Sequence, residues 1–246
     1  MSAPPLAVLL FTPRGGEITG SARWSAMRML RPFAGRFDVR LVNRPKGLPP
    51  AITMPELGAV YAERFAAAFE GPVPVLAIST GGSIALQLAA DHPGLVDRLV
   101  LGGTAHTLGP LGRQAQRAYM ERALDGRRPS PALADIVTTS PLGRRLLRPL
   151  LWLSDGAGED RTDAVAVLHA EDGFDLRGRL GEIAAPTLLI QGARDLVYPL
   201  ELARQTAEGI PRARLVVYDN RGHSATFTDR RFARDALAFL HDGVDS

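Results

Sequence analysis

Four short, predominantly apolar runs constrain the fold of this chain more than any other feature of its sequence. They occupy residues 6–11, 73–78, 95–101 and 187–191. A strand that is covered on both faces is apolar at every position, whereas a strand with one exposed face alternates. The runs therefore predict buried, parallel strands. Two further runs rich in β-branched residues, 38–42 and 215–218, bring the predicted sheet to about six strands.

Helical patterns separate the predicted strands. Apolar residues recur at helical spacing in residues 55–69, 83–90, 200–207 and 230–240. Strands that alternate with helices form right-handed crossovers, so the pattern predicts an α/β fold with a mostly parallel sheet. The 246 residues suffice for one large domain of this kind and are too few for two typical domains with a linker.

The alternation stops between residues 107 and 175. Four helical stretches and no convincing strand occupy this part of the chain, at residues 113–124, 131–138, 142–153 and 162–170. Gly-Pro, Pro-Ser-Pro and Gly-Ala-Gly turns separate them. We predict that residues 107–175 are a helical insertion resting on an α/β core made of residues 1–106 and 176–246.

The most specific local motif joins the run 73–78 to the helix behind it. Ser79 stands at this junction, with the small residues Ala77 and Gly81 two positions away on either side. A sharp strand-to-helix turn needs small residues there, because a larger side chain would collide with the opposite limb. Such a turn holds the serine Oγ beside the free N–H groups of a helix N-terminus. Ser79 is therefore a candidate nucleophile; a serine that only caps a helix is the structural alternative.

An acid and a histidine follow later strands. Asp195 comes four residues after the run 187–191, and His223 lies on the loop before the last helix. A serine needs a base to take its proton, and the base needs a third group that fixes its tautomer. Alone, each would be an ordinary loop residue. Ser79, Asp195 and His223 occur in this order along the chain, and each follows a strand. Together they predict a Ser-Asp-His catalytic triad at the carboxyl edge of the sheet.

These residues give the chain a resemblance to the α/β-hydrolase superfamily over residues 6–241. The matching stretches are the turn around Ser79 with the helix behind it, residues 95–102, residues 183–195 followed by Tyr198-Pro199, and Gly222-His223-Ser224. The resemblance implies an α/β-hydrolase fold in which residues 107–175 are a helical cap. It also implies that the first strand here corresponds to the third of the family, so we expect a sheet trimmed of the customary N-terminal hairpin.

The loop after the first strand departs from the family pattern. Members usually carry His-Gly there, and a backbone N–H of this loop completes the oxyanion hole; this chain has Thr12-Pro13-Arg14. Proline has no N–H to donate. The backbone N–H of Arg14 is therefore the candidate donor, with that of Thr80 as the second. A further departure at residues 42–47 is interpreted as loop variation.

Three residues are additional candidates for contact with the substrate. They are Thr12 in the same loop, His106 after a strand, and Trp152 in the predicted cap. Caps usually supply the apolar lining of such cavities. Core packing, rather than substrate contact, is the favoured interpretation of an apolar cluster that follows the first strand, at Trp24, Met27, Met29 and Phe33.

Composition excludes or disfavours several other classes. Cysteine is absent, which excludes disulfides and thiolate sites. Neither metal-ligand spacing nor a phosphate-binding loop occurs, so we expect no metal and no cofactor. The net charge of +3 reflects scattered arginines without a nucleic-acid-binding motif. No apolar run has the length of a signal-peptide core or a membrane span. We therefore expect a cytoplasmic protein with a small-molecule substrate and no nucleic-acid or membrane partner, in an oligomeric state that the sequence leaves open.

The sequence thus predicts a serine hydrolase that cleaves a carboxylic ester or related acyl bond of a small, largely apolar substrate through an acyl-serine intermediate. Two alternatives stay open. A thioesterase or C–C bond hydrolase would use the same triad. A cyclase, a lyase or a small-molecule binder would reuse the cavity without hydrolysis, because a fold does not fix a function.

Overall fold

The computed structural model describes residues 3–12, 15–138, 141–154 and 160–241. Its six strands are β1 (Pro5–Leu10), β2 (Asp38–Leu41), β3 (Val73–Ile78), β4 (Val96–Gly102), β5 (Thr187–Gly192) and β6 (Ala213–Tyr218). They pair in parallel throughout, in the order β2-β1-β3-β4-β5-β6. The predicted α/β-hydrolase fold with a mostly parallel sheet of six strands is confirmed.

Helices cover both faces of this sheet. In the described residues they are α1 (Gly20–Ala34), α2 (Met54–Ala68), α3 (Thr80–Asp91), α4 (Pro110–Leu124), α5 (Ala134–Val137), α6 (Pro141–Ser154), α7 (Thr162–Asp172), α8 (Leu200–Gly209), α9 (His223–Phe227) and α10 (Arg230–His241). Short 3-10 helices occupy Pro93–Leu95, Ser130–Leu133 and Arg177–Glu182. No helix within the described ranges is long and apolar enough to cross a lipid bilayer.

The core fills the space on both sides of the sheet, which explains the apolar runs. Val75 and Leu99 pack on one side with α2, α3 and α7, whereas Leu76 and Val100 pack on the other with α1 and α10. All four side chains are fully buried. Successive residues of a strand face opposite sides of the sheet, so a strand buried on both sides needs apolar residues at every position.

Helix α1 is the element that the sequence pattern left unassigned. Its apolar residues lie in three environments. Phe33 is buried in the core and Met29 lines the cavity described below, whereas Trp24 is 65% and Met27 57% exposed. Core packing is therefore correct for Phe33 and wrong for Trp24 and Met27, which lie on the face of α1 that the sheet does not cover.

The order of the strands reverses at β1. The chain passes from β1 through α1 to β2 on one side, and β3 then pairs with the other side of β1. In open α/β sheets, ligands bind in the crevice beyond the carboxyl ends of the strands at such a reversal. The ends of β1 and β3 are therefore where this sheet is expected to hold a ligand.

Helices α4 to α7 all lie between β4 and β5 in the chain. An isolated antiparallel bridge joins Thr107 to Asp175, and Thr107 Oγ1 donates to the carbonyl oxygen of Phe174 at 2.7 Å. The bridge joins the two ends of the helical segment at the points where the sequence pattern changes. Helix α7 also packs against α2 and α3, which anchors the segment on the helices of the core.

Candidate active site

Ser79 occupies the turn between β3 and α3 in a strained conformation. Its φ of 55° and ψ of −129° are rare for an L-residue, and among the described non-glycine residues it alone has a positive φ. Its N–H donates to the carbonyl of Gly102 at 3.0 Å, and its own carbonyl accepts from the N–H of Gly82 at 2.7 Å. Strain of this kind costs about 1–3 kcal/mol and clusters at functional sites.

Gly81 shows why the turn excludes larger residues. A Cβ on Gly81 would lie 2.3 Å from the carbonyl oxygen of Leu9 in β1, far inside contact distance. Ala77, on the other limb of the turn, is fully buried. Small residues at both positions let α3 approach β1 closely. The approach brings the first residue of α3, Thr80, to the end of β1.

Ser79, His223 and Asp195 form one chain of hydrogen bonds. Ser79 Oγ lies 2.9 Å from His223 Nε2, and His223 Nδ1 lies 2.8 Å from Asp195 Oδ2. A carboxylate accepts hydrogen bonds but donates none, so the proton of the neutral imidazole sits on Nδ1. Nε2 is then free to accept the proton of the serine hydroxyl, as nucleophilic catalysis requires.

Four donors hold the Asp195 carboxylate in place. Oδ2 accepts from Gln191 Nε2 at 3.0 Å in addition to His223. Oδ1 accepts from the backbone N–H groups of Val197 at 2.8 Å and Tyr198 at 3.1 Å. These bonds fix the carboxylate relative to the imidazole. Sequence reasoning did not identify Gln191 or the two N–H groups, although Tyr198 lies in a stretch that carried the family resemblance.

Two aromatic rings confine the imidazole of His223. The ring of Tyr198 is stacked on it with centroids 6.0 Å apart, and the ring of Phe227 meets it edge-on at 5.6 Å. Gly103 lies against a third side of the ring, so close that a Cβ on it would be 3.4 Å from His223 Nδ1. The imidazole is buried and has little freedom to turn away from Ser79.

A cavity of about 410 Å³ lies beside Ser79, at the reversal of the strand order. Its volume is within the range of small-molecule sites. The ends of β1 and β3, helices α1 and α9, and the helical segment between β4 and β5 supply its walls. Among its apolar lining residues are Met29, Leu133, Ile136, Leu168, Val197 and Phe227. None of the described lining residues is an aspartate, glutamate, lysine or arginine. The cavity is therefore suited to an apolar group.

Thr80, a predicted oxyanion donor, and Thr12, a predicted substrate contact, both line this cavity. The N–H of Thr80 belongs to the first residue of α3, where a helix has no acceptor for it, so it is available to a ligand. Arg14, the predicted second donor, lies outside the described residues, and its role stays a prediction.

The segment interpreted as loop variation supports Thr12. The Thr12 hydroxyl donates to Asn43 Oδ1 at 2.8 Å and accepts from Arg44 Nη1 at 3.1 Å. Arg44 Nη2 also donates to the carbonyl oxygen of Thr12 at 2.9 Å. Arg44 is 1% exposed, and this burial lowers the pKa of its guanidinium. Asn43 and Arg44, shortly after β2, thus hold the chain where it leaves β1.

The structure does not bring His106 and Trp152 to the cavity. His106 is fully buried, with Nδ1 3.0 Å from Thr206 Oγ1, and its Nε2 accepts from Arg177 Nε at 3.3 Å. Burial lowers the pKa of His106. Trp152 is 48% exposed, with the guanidinium carbon of Arg128 3.7 Å from its ring centroid. Neither is among the described residues that line the cavity, so substrate contact finds no support for either.

Glu171, on α7, is a buried acid that no pattern in the sequence identifies. It is fully buried and accepts from Ser83 Oγ at 2.7 Å, from Tyr198 Oη at 2.5 Å and from Gln116 Nε2 at 2.6 Å. Burial, reinforced by this carboxylate, raises the pKa of Tyr198 well above its ordinary value, so the hydroxyl stays a donor. The cluster joins the helical segment to Tyr198 and, through its N–H, to Asp195. Its members are 27, 55 and 88 residues from Glu171, which no local pattern could reveal.

The chain shares its sequence pattern with known hydrolases. Residues 59–230 match the family model described as "Serine aminopeptidase, S33". The chain is 32% identical over 223 residues to a pimeloyl-[acyl-carrier protein] methyl ester esterase of Chromobacterium violaceum, which covers 86% of each chain. It is 28% identical over 188 residues to a 2-hydroxy-6-oxononadienedioate/2-hydroxy-6-oxononatrienedioate hydrolase of Cupriavidus pinatubonensis, over 68% of this chain and 62% of that one.

Solved structures agree at the level of the fold. The enol-lactonase of Burkholderia xenovorans LB400 superposes with a TM-score of 0.71 over 98% of this chain and 92% of its own. The two are 19% identical, so this likeness concerns the fold alone.

Proposed function

This chain belongs to the serine aminopeptidase S33 family of the α/β-hydrolase superfamily, and on that premise we propose that it hydrolyses carboxylic esters of apolar acyl groups. As an esterase-like hydrolase, it needs a nucleophile beside a space for the acyl group. The observation that carries the proposal is the Ser79–His223–Asp195 chain of hydrogen bonds, which ends at the wall of an apolar cavity.

The reaction divides into two half-reactions. Ser79 Oγ attacks the ester carbon while its proton passes to His223 Nε2, and Asp195 stabilises the imidazolium that forms. His223 then gives this proton to the leaving alcohol oxygen as the C–O bond breaks, which leaves an acyl-serine. A water molecule, deprotonated by His223, attacks the acyl-serine. The acid departs and Ser79 recovers its proton.

Charge that develops on the carbonyl oxygen needs donors fixed in advance. The N–H of Thr80 at the N-terminus of α3 is one such donor, and we assign the second to the N–H of Arg14. One donor of this kind is worth about 3–4 kcal/mol to the transition state. Asn43 and Arg44 support this arrangement, because they hold Thr12 immediately before the loop.

We propose that residues 107–175 act as a cap over the cavity. Helices of this segment contribute Gln116, Leu133, Ile136 and Leu168 to the cavity wall. The bridge between Thr107 and Asp175, which joins the two ends of the segment, supports residues 107 and 175 as the boundaries of the cap. A wall of this kind shields the apolar group of the substrate from water and leaves the acyl carbon beside Ser79.

An apolar ester suits the cavity better than a peptide with a free amino terminus. An aminopeptidase must pair the α-ammonium group of its substrate with an acid, because an unpaired buried charge is costly. The described lining of this cavity contains no aspartate or glutamate. The esterase relative, by its name, acts on a methyl ester of an acyl group. We therefore assign the ester class to this chain rather than the activity in the family description.

A panel of chromogenic substrates tests the proposal. We expect kcat/KM for p-nitrophenyl esters to rise from acetate to octanoate, because each buried methylene contributes about 0.8 kcal/mol, or about fourfold. Aminoacyl p-nitroanilides should be cleaved no faster than in buffer. The Ser79→Ala protein serves as the blank for spontaneous hydrolysis. Faster cleavage of the anilides than of the esters, or a rate independent of acyl length, would contradict the assignment.

A further inference from the structure

A groove adjoins the catalytic cavity. Helices α1 and α10 form its walls, and Ser25, Met29 and Phe227 line both the groove and the cavity. From Ser25 the groove follows one side of α1 as far as Arg36, just beyond the helix end. At 1.5 Å per helical residue, this path is about 16 Å long. The cavity beside Ser79 therefore continues into an elongated surface site.

The two spaces differ in charge. The described lining of the cavity has no aspartate, glutamate, lysine or arginine, whereas the groove is lined by Arg28, Arg36, Arg230 and Arg234. The one acid among the described groove residues is Asp229, and its carboxylate is bound by Arg221 at 2.6 Å and Arg231 at 3.0 Å. The groove is therefore electropositive beside an apolar cavity.

Within the described part of the chain, three of the groove arginines form no ion pair with an acid. Arg234 pairs with Asp235 at 2.7 Å, but Arg28, Arg36 and Arg230 have no acidic partner among the described residues. The guanidinium of Arg28 instead lies 5.9 Å from the centroid of the Trp24 ring. Cations gathered in a groove attract anions, and the guanidinium fork matches the oxygens of a phosphate. An anionic ligand, phosphate above all, fits this lining.

The groove meets the cavity on the side where a leaving group departs. His223 must protonate the leaving atom, so that atom lies next to the imidazole. Phe227, one of the three shared residues, packs edge-on against the same imidazole at 5.6 Å between centroids. The acyl chain then occupies the apolar cavity, and a long leaving group extends past Phe227 between α1 and α10.

We propose that this groove binds the phosphate-bearing leaving group of an acyl thioester whose acyl chain occupies the catalytic cavity. The inference rests on the proposed function, because it uses the same triad. Ser79 Oγ forms a bond to the acyl carbon, the C–S bond breaks, and His223 delivers the serine proton to the departing sulfur. Water then releases the fatty acid from Ser79. A compact leaving group such as methanol would not reach the groove, so the arginines act on long substrates alone.

The test compares two thioesters with the same acyl group. Octanoyl-coenzyme A carries phosphates on a long arm, and octanoyl-N-acetylcysteamine has the same thioester without them. We expect the wild-type protein to favour the coenzyme A thioester in kcat/KM by about tenfold or more, and added salt to reduce the preference because it screens exposed charges. A variant combining Arg28→Gln, Arg36→Gln and Arg230→Gln should lose most of the preference.

The matched control is Arg204→Gln, which replaces an exposed arginine of α8 outside the groove; it should keep the wild-type preference. The same acyl group on the phosphate-bearing arm of a carrier protein identifies the source of the arm. A higher kcat/KM for the coenzyme A thioester indicates that the protein binds the free arm, and a higher kcat/KM for the carrier-protein thioester indicates that it binds the protein-bound arm. Equal kcat/KM for the two small thioesters in the wild-type protein, or an unchanged preference in the triple variant, would overturn the inference. If p-nitrophenyl octanoate is also inert, the proposed function itself has failed.

Discussion

Replacing Ser79 with alanine is expected to lower kcat for p-nitrophenyl octanoate by about 10⁵-fold or more, because the nucleophile is removed. His223 then has no hydroxyl within reach at its Nε2, where Ser79 Oγ now lies 2.9 Å away. The residual rate would come from the oxyanion donors and the cavity, which still bind and polarise the ester. Steady-state kinetics on the purified variant measure the loss.

Two controls separate loss of chemistry from loss of structure in the Ser79→Ala protein. It should still bind octanoate, the product acid, because the apolar cavity is unchanged. Ser130→Ala, in a 3-10 helix outside the described cavity lining, should keep activity. A Ser79→Ala protein that retains even a tenth of the wild-type rate would show that another group performs the reaction.

The second large effect is expected for Asp195→Asn, which should lower kcat by about 10⁴-fold. Both carboxylate oxygens of Asp195 accept from two donors each: Oδ1 from two backbone N–H groups, and Oδ2 from His223 and Gln191. The backbone donors cannot adjust, so the new amide NH₂ must occupy the Oδ2 position. His223 Nδ1 would then have to accept, which moves its proton to Nε2. That nitrogen could no longer take the proton of Ser79.

The control for this variant is Asp219→Asn, which alters an exposed acid on the turn after β6. It should keep the wild-type kcat, whereas Asp195→Asn loses it with a smaller change in KM. Activity of Asp195→Asn within tenfold of the wild type would mean that the carboxylate does not set the tautomer of the histidine.

Local patterns carried most of what the sequence could predict. A strand buried on both sides requires apolar residues, and the sharp turn at Ser79 requires small residues two positions away. A few consecutive residues therefore suffice to predict each feature. Asp195 and His223 were identified because each follows a strand, and the carboxyl ends of parallel strands meet at one edge. The structure places His223 within hydrogen-bonding distance of both Ser79 and Asp195.

Features that depend on distant packing could not be read from the sequence. Glu171 is an ordinary helical residue until the fold surrounds it with Ser83, Tyr198 and Gln116. His106 follows a strand, as the catalytic residues do, yet packing directs its ring to Thr206 rather than to the cavity. Whether a side chain after a strand faces the cavity or the core is decided by the elements that cover it.

Helix α1 is a second case in which packing, rather than the local sequence pattern, decides what each side chain faces. Its apolar and basic residues are mixed, and Pro32 lies inside the helix, so the periodic signal is weak. The structure divides the helix between core, cavity and groove, and each of these faces needs a different residue type. The arginines that composition alone described as scattered are, on α1 and α10, gathered along one groove.

The central claim, that Ser79 is an activated nucleophile, is tested most directly by covalent labelling. A fluorophosphonate probe reacts with a serine whose proton a neighbouring base can take. We predict that the folded wild-type protein takes up one equivalent of probe, that peptide mass spectrometry locates it on Ser79, and that His223→Ala strongly slows the reaction. A folded wild-type protein that remains unlabelled, or that carries the label on another residue, would contradict the account.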